Sequence, residues 1–420
     1  MRIAFVVHQF FPEFSSGTER VTLNLARAAQ RAGHQVQVLA CVLGQRAGDD
    51  ASDLAVHGAV QRVVEGVAVT LIPRGALPPQ ADSSIEVFEP LVEPLRRWFE
   101  AGQFDVVHVM HTMRMATAVA AAQLAGLPFI ITLTDFYTAC LRVNLIDLAG
   151  RACPGPEGGR ACAIKCPAPA WSAAALQARH ATAASLLAAA AARVVPSAFV
   201  AERLSEAFPE QAFTVLPHGV DVLAMAQAQS GDAPHSAPLA GRRLAYIGSI
   251  IPAKGLHVLL RALASLNKPS HQALRLVVLG GFHHDAAYER QIREQAAADP
   301  RVQLLGHQSA SQVAHWIPHI DLLCLPSLVP ESYSLALHEC AAFGVPALVA
   351  NRGAPAQAMR EHGGGAVVAS DSEREWARAI DGWHSDPAVA QAWRDGVRVP
   401  PRVEEEAFLY EGLYRQAAAG

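Results

Sequence analysis

The sequence predicts an α/β protein made of two doubly wound, Rossmann-like domains, and three observations predict it. Short apolar runs rich in β-branched residues alternate with helical stretches along all 420 residues. Most runs are continuously apolar rather than alternating, as strands buried on both faces of a parallel sheet require. The alternation restarts after about 195 residues, and a chain this long exceeds one ordinary core.

Taken in order, the first-half strands are "IAFVV", "QVQVLAC", "GVAVTLI", "DVVHVM" and "PFIITLT". Those of the second half are "RRLAYIG", "LRLVVLG", "VQLLG", "DLLCLPS", "VPALVAN" and "GAVVA". Between the first two, residues 18–32 form a helix whose apolar stripe is Val21, Leu25, Ala28 and Ala32. The predicted domains are 1–195 and 196–395, joined near residues 194–203, with a terminal helix in 396–420 packing back on the first. That last helix is expected to bury Phe408, Leu409 and Leu413. Residues 226–241, rich in Ala, Ser, Pro and Gly, read as a loop inside the second domain. In doubly wound sheets ligands bind at the carboxyl ends of the strands, so the site is expected in a cleft between the two domains.

Composition narrows the function classes. About half the residues are hydrophobic and 17% are charged, as in a soluble globular protein. The net charge of -4 and the scatter of Lys and Arg leave no nucleic-acid footprint. The longest alanine-rich run, residues 172–195, carries Arg179, His180 and Arg193 and does not read as a membrane span. The expected location is the cytoplasm, with peripheral contact at the inner face of a membrane left open.

Three strand-to-loop-to-helix junctions carry chemistry. Ser15, Ser16 and Gly17 precede a helix whose first amides and dipole suit an anion. In "YIGSIIPAKG", Gly248 and Ser249 end a strand and Lys254 lies just before a helix, placed to meet a phosphate. In "LPSLVPESYSLALHEC", Pro330 keeps the preceding residue out of helix, so Glu331 lies in the loop and the helix begins near Ser332. The amides of Ser332, Tyr333, Ser334 and Leu335 are then first-turn donors, and Glu339 follows two turns later. Each has a plainer reading alone: a tight turn at Gly17, a solvated loop lysine, and acids favoured near a helix start.

Together these segments resemble the retaining glycosyltransferases of family four, which have the GT-B fold. "SGTERVTLNLA" looks like the family's Gly-Gly-x-Glu opening, "FDVVHVMH" its mid-domain strand and "VVPSAFV" its crossover. "VLPHGVD", "YIGSIIPAKG" and the Glu–x7–Glu stretch of Glu331 and Glu339 look like its donor domain. The resemblance implies a nucleotide-sugar donor and a carbohydrate or lipid-linked acceptor, in surface-polysaccharide or glycoconjugate assembly. It implies Lys254 on the diphosphate, Glu331 and the 332–335 backbone on sugar and phosphates, Glu339 on the ribose, and Gly17 near the donor phosphates. No Asp-x-Asp occurs, so no divalent metal is expected in catalysis. Two positions depart from the family. Ser249 stands where an Arg is usual, and Thr134 where a His commonly precedes Asp135, leaving Asp135 or His111 to supply part of that role. Ser249 and Thr134 also motivate the alternative of a non-catalytic nucleotide-sugar sensor or scaffold. A dinucleotide oxidoreductase lacks its GxGxxG.

Four of the seven cysteines, Cys140, Cys153, Cys162 and Cys166, fall in a Gly/Pro-rich loop, residues 140–166, spaced C-x12-C-x8-C-x3-C. Four thiolates suit a structural zinc. Reduced thiols, disulfides and an iron–sulfur cluster are the other readings. Cys41, Cys324 and Cys340 read as buried packing residues.

Overall fold

The computed structural model describes residues 1–42, 53–167, 171–229, 241–283, 285–369 and 371–420. They form two compact units, Met1–Gly219 with Val403–Gly420, and Val220–Arg402.

The first unit holds strands β1 (Arg2–Val7), β2 (Gln35–Val42), β3 (Val60–Val64), β4 (Val67–Pro73), β5 (Val106–Val109), β6 (Phe129–Thr132), β7 (Ala192–Val195) and β8 (Thr214–Val215). They lie in the order β3-β4-β2-β1-β5-β6-β7-β8, parallel except for the β3–β4 hairpin. The hairpin turns on Glu65 and Gly66, both at positive φ, which matches the twist of the paired strands. β3 is an edge strand with alternating exposure, Val63 being 73% exposed. A search for continuous apolar runs does not find such a strand. Central β1 is buried from Ile3 to Val7 and β5 throughout, which explains their largely apolar character.

The second unit holds β9 (Arg242–Ile247), β10 (Leu274–Leu279), β11 (Val302–Gly306), β12 (Leu322–Leu325), β13 (Ala347–Ala350) and β14 (Gly365–Val368). Their order is β11-β10-β9-β12-β13-β14, all parallel. Strand order therefore reverses between β1 and β5 in one sheet and between β9 and β12 in the other. These are the places where a doubly wound sheet opens a crevice.

The first unit extends beyond residue 195. β7 pairs with β6 through Ala192–Val194 and with β8 through Val194 and Val195, so β7 and β8 continue the first sheet, with the helix Ala198–Ala207 between them. Residues 396–402 stay with the second unit, and Val403–Ala419 packs as a helix on the first. The expected buried edge of that helix is wrong. Phe408 is 73% and Leu409 55% exposed and Leu413 is half-buried, while Val403, Glu406, Tyr410, Tyr414 and Ala417 face inward. The sheet beneath is polar here. Tyr414 Oη lies 2.8 Å from His108 Nδ1, Tyr410 Oη 2.7 Å from Thr132 Oγ1, and Glu406 accepts the Gly219 amide at 2.7 Å. Buried imidazole and hydroxyl groups need partners, so tyrosine and glutamate occupy positions that phenylalanine and leucine would leave unsatisfied.

Two smaller differences follow the same local rules. The first helix runs Gly17–Arg31, and Ala32 is its exposed C-cap rather than part of the stripe. Residues 226–229 end a helix, Val222–Gln229, and residues 230–240 of the expected loop lie outside the described residues. Among the described residues no helix is long and apolar enough to cross a membrane.

Candidate functional site

In the second unit, three loops interlock at the reversal between β9 and β12. The first leaves β9 at Gly248 and Ser249, where the Tyr246 hydroxyl donates to the Ser249 carbonyl at 2.7 Å. It continues as a turn, Pro252–Lys254, closed by Gly255 at φ +70. A Cβ on Gly255 would lie 2.0 Å from the Pro326 carbonyl oxygen, so this close approach requires glycine. The Leu328 amide donates to the Ala253 carbonyl at 2.8 Å, tying this loop to the one after β12. That second loop runs through Ser327, Pro330 and Glu331. The third begins the helix Gly353–His362, whose Ala354 amide donates to the Glu331 carbonyl at 2.8 Å. A Cβ on Gly353, at φ +71, would sit 2.4 Å from the Glu331 nitrogen.

The interlock brings Lys254 and Glu331 together. Lys254 Nζ lies 3.0 Å from Glu331 Oε1, with side chains 32% and 11% exposed. The Ser327 hydroxyl donates to the same oxygen. Glu331 is thereby pinned, and its charge holds the lysine in the mouth of the crevice. A half-solvated ammonium with one carboxylate partner can still attract a polyanion.

The helix after this loop begins later than Ser332. It spans Leu335–Ala341, and its N-cap Ser334 has φ +84, a region non-glycine residues seldom occupy. The first-turn amides are therefore those of Leu335 onward, and Ser332, Tyr333 and Ser334 belong to the approach. His338 Nδ1 donates back to the Ser334 carbonyl at 2.8 Å, and its ring stacks on Tyr333 at 3.9 Å and 4°. Glu339 is half-buried on this helix.

In the first unit a different group gathers where β1, β5 and β6 end. His111 Nδ1 accepts the Met113 amide at 3.1 Å, which leaves Nε2 to donate to Asp135 Oδ2 at 2.9 Å. Asp135 Oδ1 accepts the Tyr137 amide at 2.8 Å. Thr134, buried beside Asp135, shares a hydrogen bond of 2.8 Å with Thr18. Gly17 is the exposed first residue of the opening helix, and its N-cap Ser16 bonds to Glu19.

Two residues in this group were not singled out from the sequence. His8 packs against His111 with ring centroids 4.0 Å apart and planes tilted by 36°, and His8 Nε2 lies 3.6 Å from Glu19 Oε1. Glu19 is fully buried, and His8 Nδ1 has no hydrogen-bond partner among the described residues. Burial, then the neighbouring His111 and Arg114, hold the His8 pKa well below the ordinary histidine value. Burial raises that of Glu19 against the pull of its hydrogen bonds. Ser16–x–x–Glu19 is capping-box spacing, and His8 directly follows the first strand, so both had a signal. Ser327, which shares the Glu331 oxygen, had none beyond its place at the end of β12.

All seven cysteines are free thiols, and Cys41, Cys324 and Cys340 are fully buried. Burial pushes the Cys162 thiol up to about 11 and the Cys140 thiol up as well.

Residues 15–222 match the domain described as Glycosyltransferase Family 4, and residues 232–398 the one described as Glycosyl transferases group 1. The chain belongs to the glycosyltransferases built from these two domains. Its two α/β sheets, parallel apart from the β3–β4 hairpin, are those of the GT-B fold. The D-inositol 3-phosphate glycosyltransferase of Mycobacterium marinum is 31% identical over 152 residues, 35% of this chain and 31% of that protein. That of Nocardia farcinica is 30% identical over 178 residues, 40% of this chain and 38% of that one. The matched stretches thus span about a third of these relatives' length. Among solved structures, sucrose-phosphate synthase from Thermosynechococcus elongatus superposes with TM-score 0.71 at 17% identity, covering 100% of this chain and 99% of that one. Anabaena Alr3699/HepE in complex with UDP and glucose superposes with TM-score 0.65 at 14% identity, covering 98% of both chains.

Proposed function

We propose that the chain is a retaining glycosyltransferase that moves a sugar from a nucleotide-sugar donor to a carbohydrate or lipid-linked acceptor. The reaction serves cell-surface polysaccharide or glycoconjugate assembly in the cytoplasm, at the inner face of the membrane, and without a catalytic divalent metal. One observation carries the reading: the Lys254–Glu331 pair is held by three interlocked loops at the reversal point of the second sheet. Lys254 neutralises charge that grows on the departing diphosphate, where a preorganised cation is most effective. Glu331, held off the helix by Pro330, meets the transferred sugar with the backbone of Ser332, Tyr333, Ser334 and Leu335, while Gly248 and Ser249 line the phosphates. Glu339 accepts from the ribose hydroxyls, a task suited to a carboxylate's two oxygens. In the first unit Gly17 opens the phosphate-facing loop. Asp135 orients His111, and together they supply the polar contact that a histidine at position 134 would otherwise make.

Turnover and binding over a panel of UDP-, GDP- and other nucleotide sugars, with NMR assignment of the product anomer, tests the reading. Slow donor hydrolysis or transfer with the anomeric configuration kept supports it. Tight donor binding without turnover on any acceptor overturns it in favour of a donor-sensing scaffold, and an inverted product overturns retention.

A further inference from the structure

Residues 140–166 leave the first sheet just after Asp135 and return before the helix Ala173–Ala189, and none of the chemistry above uses their cysteines. The near end of this excursion is clamped. Arg179 donates to the carbonyls of Ser83, Tyr137 and Thr138 at 2.7, 2.6 and 3.2 Å. The far end has little to hold it. Leu145, Ile146, Pro156 and Ala161 are its buried apolar residues, while Leu148 is 54% and Ile164 81% exposed.

Yet its backbone is demanding. Val143, Leu145 and Glu157 adopt φ of 66°, 52° and 48°, left-handed conformations costly for side chains with a Cβ. Such conformations persist only where surrounding contacts over-determine them. A bridge between Ile146 and Ala152, and a 2.7 Å bond from the Cys153 amide to the Leu145 carbonyl, fold the middle into a narrow ribbon. Cys162 and Cys166 lie one turn apart on the short helix Arg160–Lys165 and its C-cap, so the i, i+4 spacing turns both to one side. All four cysteines line one cavity of about 20 Å³, which Arg142 and Lys165 also line. That space suits one small occupant rather than a ligand molecule.

We propose that Cys140, Cys153, Cys162 and Cys166 bind a single zinc ion that cross-links this excursion. Four thiolates complete a tetrahedral shell with no open position, the arrangement of a structural site. Binding releases four thiol protons and involves no electron transfer. The resulting tetrathiolate carries two negative charges, which Arg142 and Lys165 offset. Among the described residues no three His, Cys, Asp or Glu side chains stand as a ready-made ligand set. The thiols must therefore close on the ion by side-chain rotation about the shared cavity. Ordering of such loops by the metal itself is the usual behaviour of small zinc sites. The proposal does not depend on the donor chemistry, because metal content is read without any activity.

Elemental analysis of the full chain, expressed with added zinc and purified without chelators, should find about one zinc per chain. The double variant Cys162→Ser/Cys166→Ser should fall below about a third of that, while Cys41→Ala retains it. Exchange into cobalt(II) should give the thiolate-to-metal charge-transfer and strong visible bands of a tetrahedral four-sulfur site. If the double variant does not fold, the cobalt spectrum of the unsubstituted chain decides alone. A wild-type chain with under about a third of an equivalent, or with zinc unchanged in a folded double variant, overturns the proposal. So does iron with acid-labile sulfide, or loss of four titratable thiols to disulfides.

Discussion

Lys254 and Glu331 meet at 3.0 Å on the second unit with the lysine a third exposed. On the first unit His8 and Glu19 lie 3.6 Å apart, with the glutamate side chain wholly buried. Both pairs stand at a strand-order reversal, and both involve an acid and a base. Exposure separates them. In the first pair the lysine reaches solvent, so an incoming polyanion can compete for it. In the buried pair desolvation works against both charges, raising the acid and lowering the base. The first arrangement is suited to holding a charged ligand, and the second to a polar scaffold behind His111 and Asp135.

The strongest way to break this contrast is to remove one group from each site. Lys254→Ala should lower kcat/KM by about 100- to 1,000-fold and weaken donor binding measured by calorimetry. His111→Gln should lower kcat by about 100-fold while leaving donor affinity unchanged. Equal losses of affinity in both variants would erase the distinction between the sites.

Next is the backbone that presents the charged pair. Gly255→Ala should destabilise the second unit by about 3 kcal/mol, because its Cβ meets the Pro326 carbonyl and its φ is left-handed. Gly66→Ala in the β3–β4 turn, with nothing within 4 Å of the new Cβ, should cost only about 1 kcal/mol. Chemical-denaturation midpoints compare the two.

Acid sharpens the buried side. Burial holds His108 down at about 3, and His8 is also well below its ordinary value. Below about 6.5 the unfolded chain takes up protons that these folded histidines refuse, so stability falls as pH drops from about 6.5 toward 3. At pH 5 one such histidine costs about 2 kcal/mol. Glu19 acts oppositely, since its raised pKa relieves a cost as pH falls, and it moderates the slope. Melting of the first unit should shift down between pH 7.5 and 5, and less in His108→Gln. A slope unaltered by that substitution would remove His108 from the account.

The smallest effect concerns the last helix. Tyr410→Phe removes one of the two hydrogen bonds of the Thr132 hydroxyl, which keeps His108 Nε2 at 2.8 Å, and should cost about 1 kcal/mol, whereas Phe408→Ser, on the exposed face, should stay within about 0.5 kcal/mol of wild type.

Much of the fold was legible because strands buried on both faces leave a continuous apolar signature, and all eleven such runs became strands. Three strands escaped: β3 because one of its faces is solvated, β7 because half-buried Ala192 and Arg193 interrupt its apolar run, and β8 because it has two residues. At the candidate site, Lys254 and Glu331 were legible from Gly and Pro punctuation, since these residues shape the backbone wherever they stand. His111 and Asp135 were legible as separate residues but not as a bonded pair.

By itself the sequence determined which continuously apolar segments are strands, where the loops after them turn, and which loops carry charge. These follow from burial demand and from φ preferences that act within a few residues. Only the tertiary structure decided that Ser327 and Lys254 share one oxygen of Glu331, that Thr134 bonds to Thr18, and that the terminal helix buries tyrosines instead of Phe408 and Leu409. Each of these depends on the group presented by a partner far away in the chain. A helix over His108 and Thr132 must satisfy imidazole and hydroxyl groups, and no periodicity within the helix itself carries that requirement.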